Sequence, residues 1–339
     1  MKEHEILQIA IENLQRNSGI IANWIKRNDQ RVDGKITFRA EGLKLTFHAS
    51  IKHELRNHQL LQISHLADRN EPLILIVNHI FPEIKEELRK RKIAYLEANG
   101  NIYLHHNSII IWIDTNKPIQ SKKGKNNRAF TKTGLQVIFH FLSDERIINK
   151  TYREIARKTN VALGNINYII NGLKDLGFLV KLDKNNYKLL KKKDLINKWM
   201  DAYFERLKPS LEVGTFCFQS QEDFTNWKMI QLQKGKTWWG GEPAGDLLIG
   251  GLRPAELTIY TDEPRNELIK NYRLIPHEKG NVKVYKKFWN FGKETNAFVP
   301  LLLVYADLIN ANNKRSQETA IKIYEQLLQS NLKESLADL

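Results

Sequence analysis

The sequence predicts a mixed α/β chain in successive parts, with an α-rich segment in the middle. Three observations predict it. Strand-length apolar runs alternate with helical periodicities over residues 1–114, and helical and strand patterns mix again over 191–339. Between them, residues 130–190 hold three helical patterns in a row, closed by two very short strand patterns. The 339 residues also exceed what one ordinary core accommodates, so two or three domains are expected.

In the first part, EILQIAIENLQ carries Ile6, Leu7, Ile9, Ala10 and Leu14 at helical spacing. Ile36 and Phe38 alternate with polar residues, as do Leu43, Leu45, Phe47, Ala49 and Ile51. Glu41-Gly42 lies between them, which is the pattern of a β-hairpin. Pro72 to Val77 is a continuous apolar run and reads as a buried strand. Pro82 opens a helix over EIKEELRKRK. IAYLEANGNIYL and SIIIWID then give strands, the first pair joined at Asn99-Gly100 in an expected type I′ turn with a polar tip.

Residues 115–129, TNKPIQSKKGKNNRA, read as a basic linker. In the second part, TGLQVIFHFLSDE is one helix. Thr151 then caps YREIARKT, with Thr151 and Glu154 in capping-box spacing. A tight turn at Asn160-Val161 leads to ALGNINYIINGLKDLGF, whose buried face is Ile166, Ile169, Ile170, Leu173 and Leu176. Gly177 is placed for a left-handed cap. LVKLDKNNYKLL closes the segment as two short strands around Asp183 to Asn186. In the third part, LINKWMDAYFERL is a helix and Gly214–Phe218 and Leu257–Tyr260 are strands. Gly240 to Gly245 form a tight turn into a helix at Asp246–Ile249, and Ser316–Leu332 is a long amphipathic helix.

Lys and Arg number 53 against 38 Asp and Glu, a net charge of +15. The segment Lys117–Lys193 holds 18 basic and 5 acidic residues, so nearly all of the excess sits there. A field that concentrated calls for a polyanion, and nucleic acid is the polyanion expected. One cysteine, Cys217, excludes an internal disulfide framework and a Cys-based zinc site. The ten histidines show no metal-ligand spacing and no nucleophile signature occurs, so no metal and no cofactor is expected. No apolar run approaches the roughly 18 residues of a membrane span. The first residues, MKEHEILQIAIENLQ, lack the pattern of a secretory leader, so the expectation is a cytoplasmic protein with no membrane partner.

Helix, helix, turn, helix, β-hairpin is the order of a winged helix-turn-helix. Its third helix would present Asn165, Asn167, Tyr168, Asn171 and Lys174 outward, residues suited to base edges and phosphates in a major groove. Arg153, Arg157 and Lys158 would grip the flanking backbone, and Lys181, Lys184 and Lys188 would line the wing. Lys122, Lys123 and Lys125 of the linker and Lys191 to Lys193 add to the same charge. The alternative is a protein-binding adaptor with a winged-helix shape, which would tolerate charge reversal at Lys181, Lys184 and Lys188.

The order of the first part resembles the restriction-endonuclease-like PD-(D/E)XK fold. That resemblance implies a Mg²⁺ site of acids beside an orienting lysine. Asp33 and Lys52 stand at matching positions, but Ser50-Ile51-Lys52 puts serine where the metal-binding acid belongs, and Glu41 and Glu54 are poorly placed to replace it. The expectation is an inactive scaffold; the competing reading is a Mg²⁺-dependent nuclease using Asp33 and Lys52.

WWGGEPAGDLLIGGLRPAELTIYT (238–261) and LLLVYADLINANNKRSQETAIKIYEQ (301–326), with YLEANGNIYL and the central segment, resemble the AbiEi family of antitoxins and transcriptional regulators of type IV toxin–antitoxin systems. The likeness is to the branch with a central rather than N-terminal winged helix. It implies a repressor of its own operon that binds operator inverted repeats and opposes a nucleotidyltransferase toxin without a stable complex; a homodimer on DNA is expected because helix-turn-helix proteins usually read paired half-sites as dimers. Within the C-terminal strings, Tyr305, Asp307, Arg315 and Glu318 are the candidate antitoxin surface; read as residues alone, Asp307–Arg315 and Arg315–Glu318 are candidate ion pairs that fix the fold. The glycine-rich string 240–245 lacks the phosphate-binding spacing, and Glu242 and Asp246 would repel an anion there.

Overall fold

In a computed structural model of the chain, Ile6, Leu7, Ala10 and Leu14 form the buried stripe of α1 (Glu3–Ser18). The structure describes residues 3–26, 32–40, 42–56, 59–117, 119, 127–183, 186–291, 297–311 and 313–325. The chain divides into two units, Met1–Gly124 and Lys125–Leu339. Both mix helices and sheets, so the α/β class holds for the described residues.

The first unit is built on one seven-stranded sheet in chain order. Its strands are β1 (Ile21–Lys26), β2 (Gly34–Ala40), β3 (Leu43–Lys52), β4 (Leu73–Val77), β5 (Ala94–Glu97), β6 (Ile102–His106) and β7 (Ile109–Ile113). The three strands β3, β4 and β5 run parallel, and the remaining neighbours pair antiparallel. Helices α2 (Leu60–Arg69) and α3 (Pro82–Lys90) make the two parallel crossovers. β4 reads LILIV because both of its faces are covered. Ile74 and Ile76 belong to the apolar cluster with α1, whereas Leu73, Leu75 and Val77 pack with Leu60, Ile84 and Leu88 of α2 and α3. The periodicity missed β1, which has Ile21 and Ile25 exposed and Ala22 buried, so its pattern is inverted for an edge strand.

The β5–β6 connection departs from expectation. Gly100 has φ +86, but Asn99 is absent from the positive-φ residues, so the turn is not type I′. Nor is its tip solvated: Glu97, Asn99 and Asn101 are all buried. The reason is long-range. Asn13 and Asn17 of α1 donate to the carbonyls of Ala98 and Asn99 at 2.7 and 3.1 Å, and Asn101 exchanges hydrogen bonds with Asn116.

The second unit begins with α4 (Lys132–Ser143), α5 (Tyr152–Thr159), α6 (Leu163–Asp175) and the hairpin β8 (Leu179–Lys181) and β9 (Tyr187–Leu189). α7 (Lys192–Ala202) continues into a π-helical turn at Tyr203–Leu207. Then follow β10 (Glu212–Phe218), α8 (Gln221–Thr225), β11 (Thr237–Gly240), α9 (Gly241–Ile249), β12 (Leu257–Thr261), α10 (Arg265–Tyr272), β13 (Leu274–Pro276), β14 (Val282–Lys286), α11 (Leu301–Ile309) and α12 (Lys314–Ile323). The sheet order is β11-β12-β14-β10-β13, with β12 and β14 parallel. The three-part expectation puts a boundary at 190/191; residues on both sides of it share one apolar cluster running from Ala129 to Ile323.

Helix α9 corrects the expected turn at 240–245. It starts at Gly241, five residues earlier, because Pro243 falls in the first turn where its missing N–H has no helical partner to lose. The glycines serve close packing. A Cβ at Gly240 would lie 2.6 Å from the Tyr260 ring, and Gly241 has φ +49 with Thr258 Oγ1 2.7 Å from where a Cβ would stand. The last helix begins at Lys314, capped by the Asn313 side chain, which accepts from Ser316 N at 2.8 Å. Leu327 and Leu328 lie outside the described residues.

Candidate nucleic-acid interface

The helices of the basic segment form for local reasons. Thr151 and Glu154 complete the capping box at the start of α5. Asn160 takes the left-handed conformation at its end, with φ +54, and Gly177 does the same after α6, with φ +70. Ile166, Ile169, Ile170 and Leu173 bury one side of α6. Asn167, Tyr168 and Asn171 are therefore on its exposed side, and Asn165 is half-buried. The amide of Asn171 donates to Asn167 Oδ1 at 3.2 Å. This fixes the orientation of both side chains and leaves the Asn167 amide N–H groups and the Asn171 carbonyl for an outside partner. Lys174 is less available: its ammonium lies 4.7 Å from the Tyr187 ring centroid and 3.4 Å from the Tyr187 hydroxyl, tying α6 to β9.

Arg153, Arg157, Lys158 and Lys181 are exposed, and Lys188 is half-buried. Lys184, and Lys122, Lys123 and Lys125 before the segment, fall outside the described residues. The acids of this segment explain why the cations stay free. Asp144 pairs with Arg146 at 2.9 Å, and the Arg146 hydrogen bond holds its carboxyl below the usual carboxylate range. Glu145 pairs with Lys192. Glu154 is held by Thr151, whose backbone hydrogen bond lowers its pKa. Asp183 accepts from Asn186 at the hairpin turn. Four of the five acids are thus engaged locally. Among the described residues, Arg153, Arg157, Lys158, Lys181 and Lys188 have no carboxylate within ion-pair distance.

Sequence reading missed two features of this surface. No side chain caps α6, and Ala162, Leu163 and Gly164 at its start are exposed, so first-turn N–H groups are open to an outside acceptor. Arg128, just before α4, places its guanidinium 5.2 Å from the Tyr168 ring centroid. The exposed aromatic on α6 was a signal for such a partner, but nothing in the spacing says which cation reaches it.

The candidate antitoxin residues are not together on one surface. Asp307 is buried, Tyr305 packs on Tyr324 with ring centroids 5.3 Å apart, and Arg315 and Glu318 are exposed. Burial raises the Tyr305 pKa. Neither expected ion pair with Arg315 forms among the described residues. Asp307 instead takes the Lys208 ammonium at 2.8 Å and the Tyr260 hydroxyl at 2.9 Å, because α11 turns that face toward the π-helical turn and β12. Glu318 pairs with Lys314 at 3.8 Å. Burial, with the negative charge of Asp307, pushes the Tyr260 and Tyr203 hydroxyls well up, so both stay protonated donors. Asp307 and Lys208 line a cavity of about 620 Å³ with Phe204, Glu242 and Tyr285. Glu242 bridges the two C-terminal strings, accepting from Ala255 N, Asn313 and Ser316.

In the first unit, Asp33 and Ser50 do meet: Asp33 Oδ2 accepts from Ile51 N at 2.7 Å and Ser50 Oγ at 3.3 Å. Lys52 ends β3, in register with Val77, which is in register with Glu97. Glu41 is outside the described residues, and Glu54 pairs with Arg56. Mg²⁺ does not fit this donor set. One carboxylate already holds an amide and a hydroxyl, and its neighbour is neutral. Among the described residues, no group of three or more His, Cys, Asp or Glu side chains could hold a metal. Glu97 is instead structural. It accepts from Ile80 N at 2.7 Å and pairs with Lys85 at 2.6 Å, and Lys85 also reaches Asp114 at 2.6 Å. Burial pulls the Lys85 pKa down, but these two acids outweigh it and the net shift is upward.

Among the described residues, no helix is long and apolar enough to cross a membrane. Residues 188–329 match the model of a family described as transcriptional regulator, AbiEi antitoxin, type IV TA system. No curated protein and no solved structure matches the chain.

Proposed function

We propose that this chain, whose residues 188–329 belong to the AbiEi antitoxin family of type IV toxin–antitoxin systems, is a cytoplasmic DNA-binding repressor of its own operon and the antitoxin of that system. Residues 130–190 act in this reading as a winged helix-turn-helix. Helix α6 enters the major groove with Asn167, Tyr168 and Asn171, Arg153, Arg157 and Lys158 hold the flanking phosphates, and the hairpin carries Lys181, Lys184 and Lys188 along the backbone. Two chains bind the two halves of an inverted repeat. The chain opposes a nucleotidyltransferase toxin encoded beside it, without a stable complex. Residues 1–114 contribute a nuclease-like scaffold without nuclease chemistry.

The observation that carries the reading is the set of five cations on α5 and the hairpin that have no carboxylate partner among the described residues, while four neighbouring acids are already engaged. The test is a mobility shift on the upstream region of its own gene against random duplex, over a salt series. If all five meet phosphates, log K against log salt has a slope of about −4.5, and each alanine replacement reduces it by about 0.9. Absence of any preference over random DNA ends the repressor reading. Unchanged binding after charge reversal at Lys181 and Lys188 would favour the adaptor.

A further inference from the structure

Arg128 lies outside every residue that spacing selects for the interface, yet the fold locks it onto the centre of it. The Asn127 side chain donates to Gly172 O on α6 at 2.9 Å and accepts from Ala129 N at 2.9 Å. Thr131 Oγ1 donates to Arg128 O at 2.9 Å. The approach needs glycine at 172, where a Cβ would stand 2.3 Å from Asn127 Oδ1. The main chain at 128 is thereby held between a side chain tied to α6 and the N-cap of α4. The side chain is exposed, and its guanidinium sits 5.2 Å from the ring of Tyr168, itself 56% exposed beside Asn167 and Asn171. Among the described residues no carboxylate pairs with it. A guanidinium that uses its face on an aromatic ring keeps its in-plane N–H fork for an acceptor pair. Holding it there beforehand removes most of the ordering cost of using it.

We propose that Arg128 is a specificity-determining residue that reads one guanine, through O6 and N7 in the major groove, and that Tyr168 is its positioning residue. The inference rests on α6 being the helix that faces DNA. A forked cation held on the exposed ring of α6 matches the paired acceptors of guanine, and among the described residues of 127–190 no other exposed basic side chain is given an aromatic platform.

The experiment uses the full chain and fluorescence anisotropy at one salt concentration. The probes are the best-bound upstream duplex, the same duplex with each G·C pair in turn changed to A·T, and the same duplex with 7-deazaguanine at each guanine. Arg128→Ala is expected to weaken the best duplex roughly ten- to a hundredfold and to abolish the preference at one G·C pair only. Removing N7 from that guanine should reproduce the loss for the unaltered chain and add nothing for Arg128→Ala. Arg128→Lys should keep affinity for random DNA while losing the same preference, Tyr168→Phe should keep it, and Tyr168→Ala should lose it. The double variant Arg128→Ala/Tyr168→Ala should be no weaker than the worse single variant. Both residues are exposed, so unchanged circular dichroism is expected throughout. A uniform loss on every duplex makes Arg128 a phosphate contact and overturns the proposal, as does binding equal to the unaltered chain. Additive losses overturn the role of Tyr168. If the unaltered chain itself shows no preference, the reading of α6 falls with it; if preference persists in the Arg128 variants, only this inference falls.

Discussion

Replacing Asp307 by alanine tests whether that carboxylate is a structural group or part of a working surface. Its side chain is 2% exposed and that of its partner Lys208 14% exposed, with 2.8 Å between them. Removing the acid strands an ammonium between the Phe204 and Tyr285 rings, 4.7 and 4.9 Å from their centroids. Breaking a buried pair from one side costs about 3–5 kcal/mol. The Tyr260 hydroxyl adds less, since the Tyr203 hydroxyl remains 2.6 Å away to accept from it. For a unit the size of Lys125–Leu339, one kcal/mol moves the midpoint by roughly 2–4 °C, so a loss of roughly 10 °C is expected. The assay is thermal unfolding followed by circular dichroism. Lys208→Met, which keeps the stem on the two rings, should recover a large part of the loss when combined with Asp307→Ala, because the stranded charge is gone. Arg315→Ala and Glu318→Ala, both exposed, should each shift stability by no more than about 0.5 kcal/mol. A shift below about 3 °C for Asp307→Ala, accompanied by loss of toxin neutralisation, would refute the structural reasoning and make Asp307 a functional contact.

Two further predictions follow from groups whose environments differ. His140 is buried, its Nδ1 facing Gln136 O at 2.7 Å, and burial, aided by Lys158, lowers its pKa below the ordinary 6.5 against that backbone bond. The unfolded chain therefore binds the proton more readily. The stability contributed by neutral His140 is complete above about pH 6.5 and is lost as pH falls below it. The melting temperature should fall more steeply between pH 7.5 and 5.5 in the unaltered chain than in His140→Gln; parallel curves would show that His140 is not the group responsible. Asp33→Ala should destabilise the first unit by about 1–3 kcal/mol in denaturant titration, since it leaves the Ile51 amide without its acceptor. Plasmid incubated with Mg²⁺ should stay intact with either form, and cleavage abolished by Asp33→Ala would restore the nuclease reading.

Local chemistry was legible in the sequence and long-range chemistry was not. The Thr151–Glu154 box, the left-handed Gly177 and the hairpin turn at Asp183 each depend on residues within four positions of one another, so their letters carry the geometry. The exposed side of α6 followed from the period of its isoleucines. By contrast, Glu97-Ala98-Asn99-Gly100-Asn101 spells a solvated turn, and only Asn13 and Asn17, more than 80 residues away, make it a buried one. Asp307 has the same history: Arg315 was the cation that spacing offered it, but Lys208, 99 residues away, is the one it meets in space. Strands β11, β13 and β14 escaped for a related reason. At 3 to 5 residues each they are too short for a pattern to stand out, and it is pairing with distant strands that defines them.

The ring of Trp199 stacks on Phe139 of α4 at 5.3 Å and on Tyr203 at 5.0 Å, and the Tyr203 hydroxyl meets that of Tyr260 on β12. An aromatic column therefore crosses residue 190 without a break. Recombination at that point, importing residues 130–190 from an unrelated regulator, would set Trp199 against a groove never shaped for it. If α6 faces DNA as proposed, drift in target preference would proceed by single replacements on its outer side, where Asn167, Tyr168 and Asn171 can change while the column stays intact. A lineage of such proteins would diversify at its surface letters and keep its seam unaltered.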